Sequence, residues 1–377
     1  MSRWALVCVA QAVLPLLCAV AQTSTPADAI GFEQQGKLPE AAEAWRSVTR
    51  QNPRDAAAFA SLGVVLSKQE KYQEAASAYQ RAIALNPKLP GTRLNLGLAE
   101  FKQGHFQQAV VAFDHVVAAD PQNLQARMLL GFSRYGAGQY ADAVKHLQIA
   151  AKTDPANTEL HQVLAQSCLW AKEYSCALAE FRQILGQNPD SSAAHVLTGQ
   201  ALDGLGKTAD AIAEFQAAIK TAPREANLHF GLGYLFWKSH QYDDAEREFE
   251  NELSLDSNHA QALAYLGDIE MKNKNPNAAL TLLERATRSK SDVRIAYLDI
   301  GIILGQLKQY DKAVAALQRA AKLDPAEPDA HYRLARVYQL MGKTAESQRE
   351  MARVRELHDK ADESVASKMS AAPPPLQ

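Results

Sequence analysis

Apolar residues recur along the chain at intervals of three and four, the spacing that places them on one face of an α-helix. This pattern is punctuated with a period of 34 residues, because proline occupies positions 53, 87, 121, 155, 189 and 223 and again position 325. Asn or Asp precedes most of these prolines, and glycine often stands about midway between them, two signals that end helices. Each block of 34 residues therefore predicts a helix, a turn and a second helix.

Ten such repeats fit without a gap when each proline is set at position 32 of its repeat. The first residues of the repeats are Gln22, Ala56, Pro90, Leu124, Thr158, Ser192, Ala226, Ala260, Arg294 and Pro328. Position 20 is alanine in nine repeats, position 8 is glycine in seven, and position 24 is a large apolar residue in all ten. We expect the two helices of a repeat to approach closely at positions 8 and 20, with the side chain at position 24 filling the remaining space.

These positions resemble the tetratricopeptide repeat, whose signature on the same period is W-x2-L-G-x2-Y followed by A-x3-F and P. Repeat two carries Gly63, Ala75, Tyr79 and Pro87 at positions that the signature fixes, whereas position 4, usually a large aromatic residue in the family, varies along this chain. The resemblance implies an all-α fold: a right-handed superhelical solenoid of about ten stacked antiparallel helix pairs over residues 22–359.

The two ends of the chain differ from the repeats. Residues 1–21 have the pattern of a secretory signal peptide: Arg3 gives a positive start, Trp4 to Leu17 is almost wholly apolar, and Ala19 to Ala21 forms an A-x-A cleavage site. We therefore expect an exported protein, periplasmic or secreted after cleavage near Ala21. An uncleaved leader that anchors the chain in a membrane is the minor alternative. Residues 360–377 are expected to form the end of a capping helix and a disordered Pro-rich tail.

Four cysteines are present, and two of them lie in the predicted signal peptide. The mature chain would keep Cys168 in the first helix of repeat five and Cys176 in its second helix. Export places them in an oxidising compartment, where a disulfide across the tight turn can form. Two unpaired thiols are the alternative, because the spacing alone does not set the geometry that a disulfide requires.

The charges exclude one class of partner. The 40 Lys and Arg residues are balanced by 42 Asp and Glu residues, a formal charge of -2, so no basic field is present to attract nucleic acid. Hydrophobic residues make up 47% of the chain, enough to build a large core. We expect contact with a membrane to be indirect, and no small-molecule substrate is evident.

Candidate catalytic and metal-binding motifs are incomplete. No H-E-x-x-H, C-x2-C or G-x-S-x-G motif occurs, and Ala201 stands where a phosphate-binding loop ending at Thr208 would need glycine. Histidine recurs at position 4 of four repeats, but equivalent residues on packed helices lie ~8 to 10 Å apart, too far for one zinc ion to bridge. The sequence therefore predicts a protein that is not an enzyme and that has no metal or cofactor.

The family resemblance implies that the first helices line a concave surface, with positions 2, 5, 9, 12 and 13 facing it. In several repeats these positions are apolar or aromatic, and the predicted partner-binding residues are Leu98, Phe101, Phe132, Tyr135, Trp170, Phe230, Tyr234 and Trp237. An exposed aromatic strip of this kind usually marks a binding site. The alternative is that neighbouring first helices cover these side chains. Family members that clamp a carboxylate use Lys and Asn at positions 5 and 9, whereas Leu94 and Leu98 stand there in repeat three.

Together these patterns predict an exported, non-catalytic scaffold. Its concave groove would bind an apolar helix or an extended segment of another protein, and so assemble or stabilise an envelope or secreted complex. Two alternatives remain: an accessory subunit of an envelope enzyme, and a holdase-like carrier of exported chains.

Overall fold

The computed structural model describes residues 24–370, without the side chains of residue 361 and residues 364–370. Within that range the backbone forms twenty α-helices and no strand. Packing contacts divide the chain after Ser167 into two compact units. The predicted all-α architecture of antiparallel helix pairs is confirmed. The predicted signal peptide, residues 1–21, and the last residues of the predicted tail, 371–377, lie outside the described residues.

The N-terminal unit holds the first four and a half repeats. Its helices are α1 (Pro26–Gln34), α2 (Leu38–Gln51), α3 (Ala56–Lys68), α4 (Tyr72–Leu85), α5 (Thr92–Lys102), α6 (Phe106–Ala119), α7 (Leu124–Gly136), α8 (Tyr140–Thr153) and the greater part of α9 (Thr158–Trp170). Odd-numbered helices are the first helices of their repeats and even-numbered helices the second. Each helix packs against the one that precedes it and the one that follows it from α1 to α8.

The C-terminal unit begins near the end of α9. Its helices are α10 (Tyr174–Gln187), α11 (Ser192–Gly204), α12 (Thr208–Thr221), α13 (Leu228–Lys238), α14 (Tyr242–Leu255), α15 (Ala260–Lys272), α16 (Pro276–Ser289), α17 (Arg294–Gln306), α18 (Tyr310–Leu323), α19 (Pro328–Leu340) and α20 (Thr344–Ser370). First helices also contact one another here, since α15 packs on α17 and α17 on α19. The first helices therefore form a continuous layer, α13 to α19, on one side of this unit.

The turn inside each repeat has the same backbone conformation throughout the described chain. In all ten repeats the residue at position 15 has a positive φ, between 59° and 75°. Five of these residues are glycines, the residue that adopts this conformation without steric cost. The other five are Glu70, Lys172, His240, Lys274 and Lys308. In five repeats a glycine indicates this turn in the sequence. In the other five we attribute the same conformation to the packing of the two helices.

The predicted pairing of small and large residues inside the repeats is confirmed. Ala75 is fully buried, and a Cβ added to Gly63 would lie 2.5 Å from the ring of Tyr79. Gly97 stands in the same relation to Phe113, at 2.6 Å. A larger residue at position 8 would therefore push the aromatic side chain out of the gap between the two helices.

The described ends of the chain carry caps. Thr25 and Asp28 form a capping box at the start of α1, in which the Thr25 backbone N–H donates to Asp28 Oδ2 at 2.8 Å. At the other end α20 is longer than the other second helices, and the side chains that it exposes after Met351 are mainly charged, among them Arg355, Glu356 and Asp359. Terminal repeats of a solenoid need such polar outer faces, because no further repeat covers them.

Candidate functional site

The predicted partner-binding residues fall into both units, four in each, so the two sets are considered separately. Trp170 is the exposed one among the eight, with 56% of its surface accessible. The remaining seven are half-buried. The uniformly exposed aromatic strip that the sequence suggests is therefore not what the inner helices present, and neighbouring side chains cover part of each residue.

In the N-terminal unit the predicted residues pack against adjacent helices. The Phe101 ring contacts that of Phe106 at 5.6 Å between centroids, and Tyr135 contacts Tyr140 at 5.7 Å. The Tyr135 hydroxyl donates to Gln166 Oε1 at 2.6 Å. These contacts join the two helices of a repeat or neighbouring first helices. Much of the apolar surface of α5 and α7 is therefore used in packing.

In the C-terminal unit the predicted aromatic residues form a cluster. Its centre is Tyr265, whose ring lies 5.9 Å from Phe230, 5.6 Å from Tyr234 and 4.9 Å from Trp237, centroid to centroid. Burial raises the pKa of the Tyr265 hydroxyl to about 12, so it stays protonated. Tyr265 occupies position 6 of its repeat, outside the predicted stripe. A large aromatic residue at a position that is small or polar in several repeats was the signal that could have identified it.

A cavity of about 630 Å³ lies beside this cluster, between α11 and α13. Its lining is mainly apolar, and its side chains include Val196, Leu197, Phe215, Leu228, Phe230, Tyr234 and Leu235. Polar residues stand around it: Gln200, Asp203, Glu225, Asn227 and Gln261. Concave sites of this size, apolar with a few polar groups, are typical of ligand and peptide binding. We refer to this feature as the α11–α13 cavity.

The α11–α13 cavity borders an irregular helix start. The helix α13 begins at position 3 of its repeat, and the preceding residue Asn227 has a positive φ of 70°. Glu252, on α14, is fully buried and accepts hydrogen bonds from the backbone N–H groups of Asn227, at 2.8 Å, and Phe230, at 3.1 Å. Its carboxylate thus satisfies N–H groups at a helix N-terminus, where negative charge is favourable.

Sequence reasoning did not identify Glu252. It stands at position 27, where the other nine repeats carry Ala, Val or Ile. An acid at a position that is otherwise apolar was a usable signal, but only the structure indicates which N–H groups it binds.

A second buried acid, Asp268, lies on the other side of the aromatic cluster. It is 8% exposed, and its Oδ2 accepts a hydrogen bond from Trp237 Nε1 at 2.6 Å and one from Lys272 Nζ. The Lys272 ammonium also lies 5.5 Å from the ring centroids of Trp237 and Tyr242. A cation is therefore held here by a carboxylate and two aromatic faces.

The two cysteines of the described chain are joined. Cys168 and Cys176 form a disulfide with an S–S distance of 1.99 Å and a Cα–Cα distance of 5.8 Å. With Glu173 in the intervening turn they also bring potential metal-ligand atoms within 4.8 Å of one another. In the disulfide neither sulfur is a thiolate, the form that binds metals, so this group serves as a crosslink between two helices.

The histidines at position 4 of repeats six, seven and ten have partners within their own repeats. Nδ1 of His195, His229 and His331 lies 2.6 Å from Oε2 of Glu214, Glu248 and Glu350, respectively. Each glutamate occupies position 23, on the second helix of the same repeat. These residues are therefore links between the two helices of a repeat, and sequence reasoning missed the glutamates.

Among residues 24–370, no helix has both the length and the apolar character that a membrane crossing requires.

Several family profiles of one kind match the chain. The profile of the cytochrome c-type biogenesis protein H TPR domain matches residues 35–161. Other tetratricopeptide repeat profiles match residues 134–202, 196–239, 230–294, 301–342 and 329–361. The chain is a tetratricopeptide repeat protein. The fold is that of a protein-interaction scaffold, since tetratricopeptide solenoids present extended surfaces to protein partners.

One similar protein of known structure has this fold over most of its length. The anaphase-promoting complex hetero-tetramer Cut9–Hcn1 superimposes with a TM-score of 0.52 at 13% identity, covering 87% of this chain and 79% of that one. YrrB, a TPR protein with an unusual peptide-binding site, is 18% identical with a TM-score of 0.37, covering 50% of this chain and 97% of that one.

A relative from sequence comparison is anaphase-promoting complex subunit 3 of Schizosaccharomyces pombe, 25% identical over 114 residues. The match covers 30% of this tetratricopeptide repeat protein and spans 17% of the length of that curated relative.

Proposed function

We propose that this protein is an exported, non-catalytic scaffold that holds an apolar segment of a partner protein in the α11–α13 cavity. The observation that carries this proposal is the cavity itself: about 630 Å³, lined by Val196, Leu197, Phe230 and Tyr234 on two facing first helices. An amphipathic helix or an extended apolar chain places its anchoring side chains in a groove of this kind. Holding such a segment would assemble or stabilise an envelope or secreted complex.

The binding surface is narrower than the stripe of eight residues that the sequence indicates. Phe230, Tyr234 and Trp237 belong to the aromatic cluster beside the cavity, and the first two also line it. Phe101 and Tyr135 also pack against neighbouring rings, but neither of them lines this cavity. We therefore place the partner segment on the C-terminal unit.

Site-specific photocrosslinking in the native host tests this proposal. Photoreactive residues replace Gln200 and Gln261, two exposed residues that line the cavity, and in a matched control Gln73, an exposed residue of α4. One abundant adduct at the two cavity positions, absent at Gln73, supports the scaffold and identifies its partner. Many weak adducts would instead indicate a holdase-like carrier, and adducts only within the chain would contradict a partner site.

A variant tests whether the apolar lining is responsible. Val196→Asp places a charge in the cavity and should abolish the adduct at Gln261, because a buried carboxylate is costly without a partner. The melting temperature of the variant serves as the folding control. Persistence of the adduct in a folded Val196→Asp protein would count against the apolar site.

A second candidate function is a part in c-type cytochrome biogenesis. It is favoured by the match of residues 35–161 to the cytochrome c-type biogenesis protein H TPR domain. Deletion of the gene in the native host should then lower the amount of c-type cytochrome carrying covalent haem, measured by haem staining of denaturing gels. Unchanged haem staining would remove this candidate and leave the scaffold proposal intact. If this chain is the accessory subunit of an envelope enzyme, the partner identified by crosslinking would be that enzyme.

A further inference from the structure

A buried carboxyl group in the first-helix layer of the C-terminal unit has one oxygen without a hydrogen-bond partner among the described residues. Asp299, on α17, is 4% exposed, and within the described residues its Oδ2 has no hydrogen-bond partner. Burial raises the pKa of this carboxyl group to about 8, and the nearby charge of Asp268 adds to the effect. A buried polar atom without a partner is costly, so a group that retains one usually has a further use.

The charged neighbours of Asp299 indicate where its carboxyl group lies. They are Asp268 and Lys272 on α15, and Asp329 and Arg333 on α19. Both elements are first helices, and these residues occupy positions 9, 13, 2 and 6 of their repeats. Positions 2, 9 and 13 belong to the stripe that the family resemblance assigns to the concave surface, so the Asp299 carboxyl group lies beside side chains of that stripe.

Two cations in this region pair with other carboxylates: Lys272 with Asp268, and Arg294 with Asp329. Arg333 is exposed, and its guanidinium lies 6.0 Å from the centroid of the Tyr332 ring. Asp299 is thus a carboxyl group for which the surrounding described residues supply no cation in hydrogen-bonding contact. A positively charged group from outside the chain could make the contact with Asp299 that these residues do not make.

This acidic region is continuous with the aromatic cluster and the α11–α13 cavity. Trp237 donates to Asp268 and stacks on Tyr234 at 6.1 Å, and Tyr234 lines the cavity. The Lys272 ammonium, seated over the Trp237 ring, demonstrates that this environment accepts a cation. Glu225, which lines the cavity, adds a further negative charge.

We propose that the partner segment that fills the α11–α13 cavity also carries an arginine or lysine side chain, and that Asp299 and Asp268 bind this cation. This inference rests on the proposed function and specifies the chemistry of the partner: an apolar segment with a basic residue close by. Lys272 and Arg333 extend from the flanking helices and must shift to admit it. The cation binds the ionised form of Asp299, so binding releases the carboxyl proton. Affinity should therefore rise as the pH increases from 6 to 9.

Selection from a displayed library of random 12-residue peptides, on the immobilised full-length protein, tests the inference while the identity of the natural partner is still open. We expect apolar peptides that carry Arg or Lys to be enriched. The best peptide is then compared with its arginine-to-citrulline version by calorimetry. The loss of charge should weaken binding to the natural protein about tenfold and binding to Asp299→Asn by a much smaller factor, because only Asp268 then remains to bind the cation.

Two controls keep the outcomes distinct. Glu250→Gln removes an exposed carboxylate of α14 and should leave the tenfold preference unchanged, whereas an equal loss in this variant would indicate a diffuse field instead of a site. Helix content and melting temperature verify that Asp299→Asn is folded. Enrichment of apolar peptides without any basic preference overturns this inference but not the scaffold. Failure to enrich any peptide would count against both.

Discussion

Helices α5 and α13 are shortened in the same way and used differently. Each begins at position 3 of its repeat, and the residue before it has a positive φ: 72° at Gly91 and 70° at Asn227. Each also borders a cavity, of about 530 Å³ beside α5 and about 630 Å³ beside α13. Loss of the first two helical residues thus coincides with space at the surface in both repeats.

The two cavities differ in charge and in what holds the helix start. Two cations, Lys88 and Arg93, and one acid, Asp120, line the cavity beside α5, whereas the charged residues that line the one beside α13 are Asp203 and Glu225. Glycine adopts the left-handed conformation before α5 without steric cost. Before α13 an asparagine does so, and the buried Glu252 binds the freed N–H groups. The same backbone change can therefore serve different ligands, because a few side chains decide the charge.

The largest expected effect concerns position 6, which is Asn95 in repeat three and Asp299 in repeat nine. The Asp299 pKa is raised from 3.8 to about 8, so the folded protein binds more protons than the unfolded chain between these values. The free energy of unfolding should then fall as the pH rises from 4 to 8, by ~1.4 kcal/mol for each pH unit at most. Asp299→Asn should abolish this decrease, as measured by urea denaturation at pH 4, 6 and 8.

The matched change Asn95→Ala should leave that pH profile as it is in the natural protein. If Asp299→Asn loses stability between pH 4 and 8 as steeply as the natural protein does, the acid is not buried in the manner described.

The next effect concerns position 27. Glu252→Ala removes the acceptor for two backbone N–H groups and should lower the free energy of unfolding by ~1–3 kcal/mol. Amide exchange at Asn227 and Phe230 should accelerate, since their hydrogen bonds are lost. In repeat three, Val116→Ala should cost about 1 kcal/mol through lost packing without faster exchange at the start of α5. Equal exchange behaviour in the two variants would refute the special role of Glu252.

A smaller effect on the free energy of unfolding is expected at Gly91 and Asn227, the two residues of left-handed conformation before α5 and α13. A Cβ at Gly91 would meet no atom within 4 Å, so Gly91→Ala suffers only the conformational penalty, about 1 kcal/mol. Asn227→Gly relieves part of that penalty but loses the hydrogen bond between Asn227 Oδ1 and His259 Nε2, at 3.0 Å, so its net effect should be smaller than that of Gly91→Ala. Chemical denaturation of both variants measures this, and destabilisation by Asn227→Gly larger than that by Gly91→Ala would reverse the argument.

The smallest effect concerns position 4, which is Arg93 in repeat three and His229 in repeat seven. The His229–Glu248 pair, with both side chains partly exposed, should contribute ~0.5 kcal/mol. A double-mutant cycle with His229→Gln and Glu248→Gln measures that coupling directly. A coupling energy of zero would mean that the pair only fills space.

The repeats that the sequence predicted are confirmed, whereas its partner-binding residues stay a prediction. Glycine at Gly63 and alanine at Ala75 correctly indicated where helices approach, because side-chain volume alone decides such contacts. Phe101 and Tyr135 satisfy the same stripe pattern as Phe230 and Tyr234, yet the second two line the α11–α13 cavity and the first two do not. A periodic pattern identifies a face of a helix but not the neighbour that covers it.

The residues that sequence reasoning missed share a feature. Glu252, Tyr265 and Asp299 each depart from what other repeats carry at their positions. Comparison of the repeats with one another can therefore reveal such residues, although it cannot say what they contact. Burial of an acid depends on helices contributed by adjacent repeats, and no local pattern contains that information.

What the sequence determined by itself is the local arrangement: a period of 34 residues, two helices in each repeat, and close contacts between small residues. These follow from spacing and volume within a single repeat. The tertiary structure alone decided the late start of α13, the α11–α13 cavity and the acid left without a partner at Asp299. The physical reason is that each depends on atoms from neighbouring repeats, and only packing brings those atoms together.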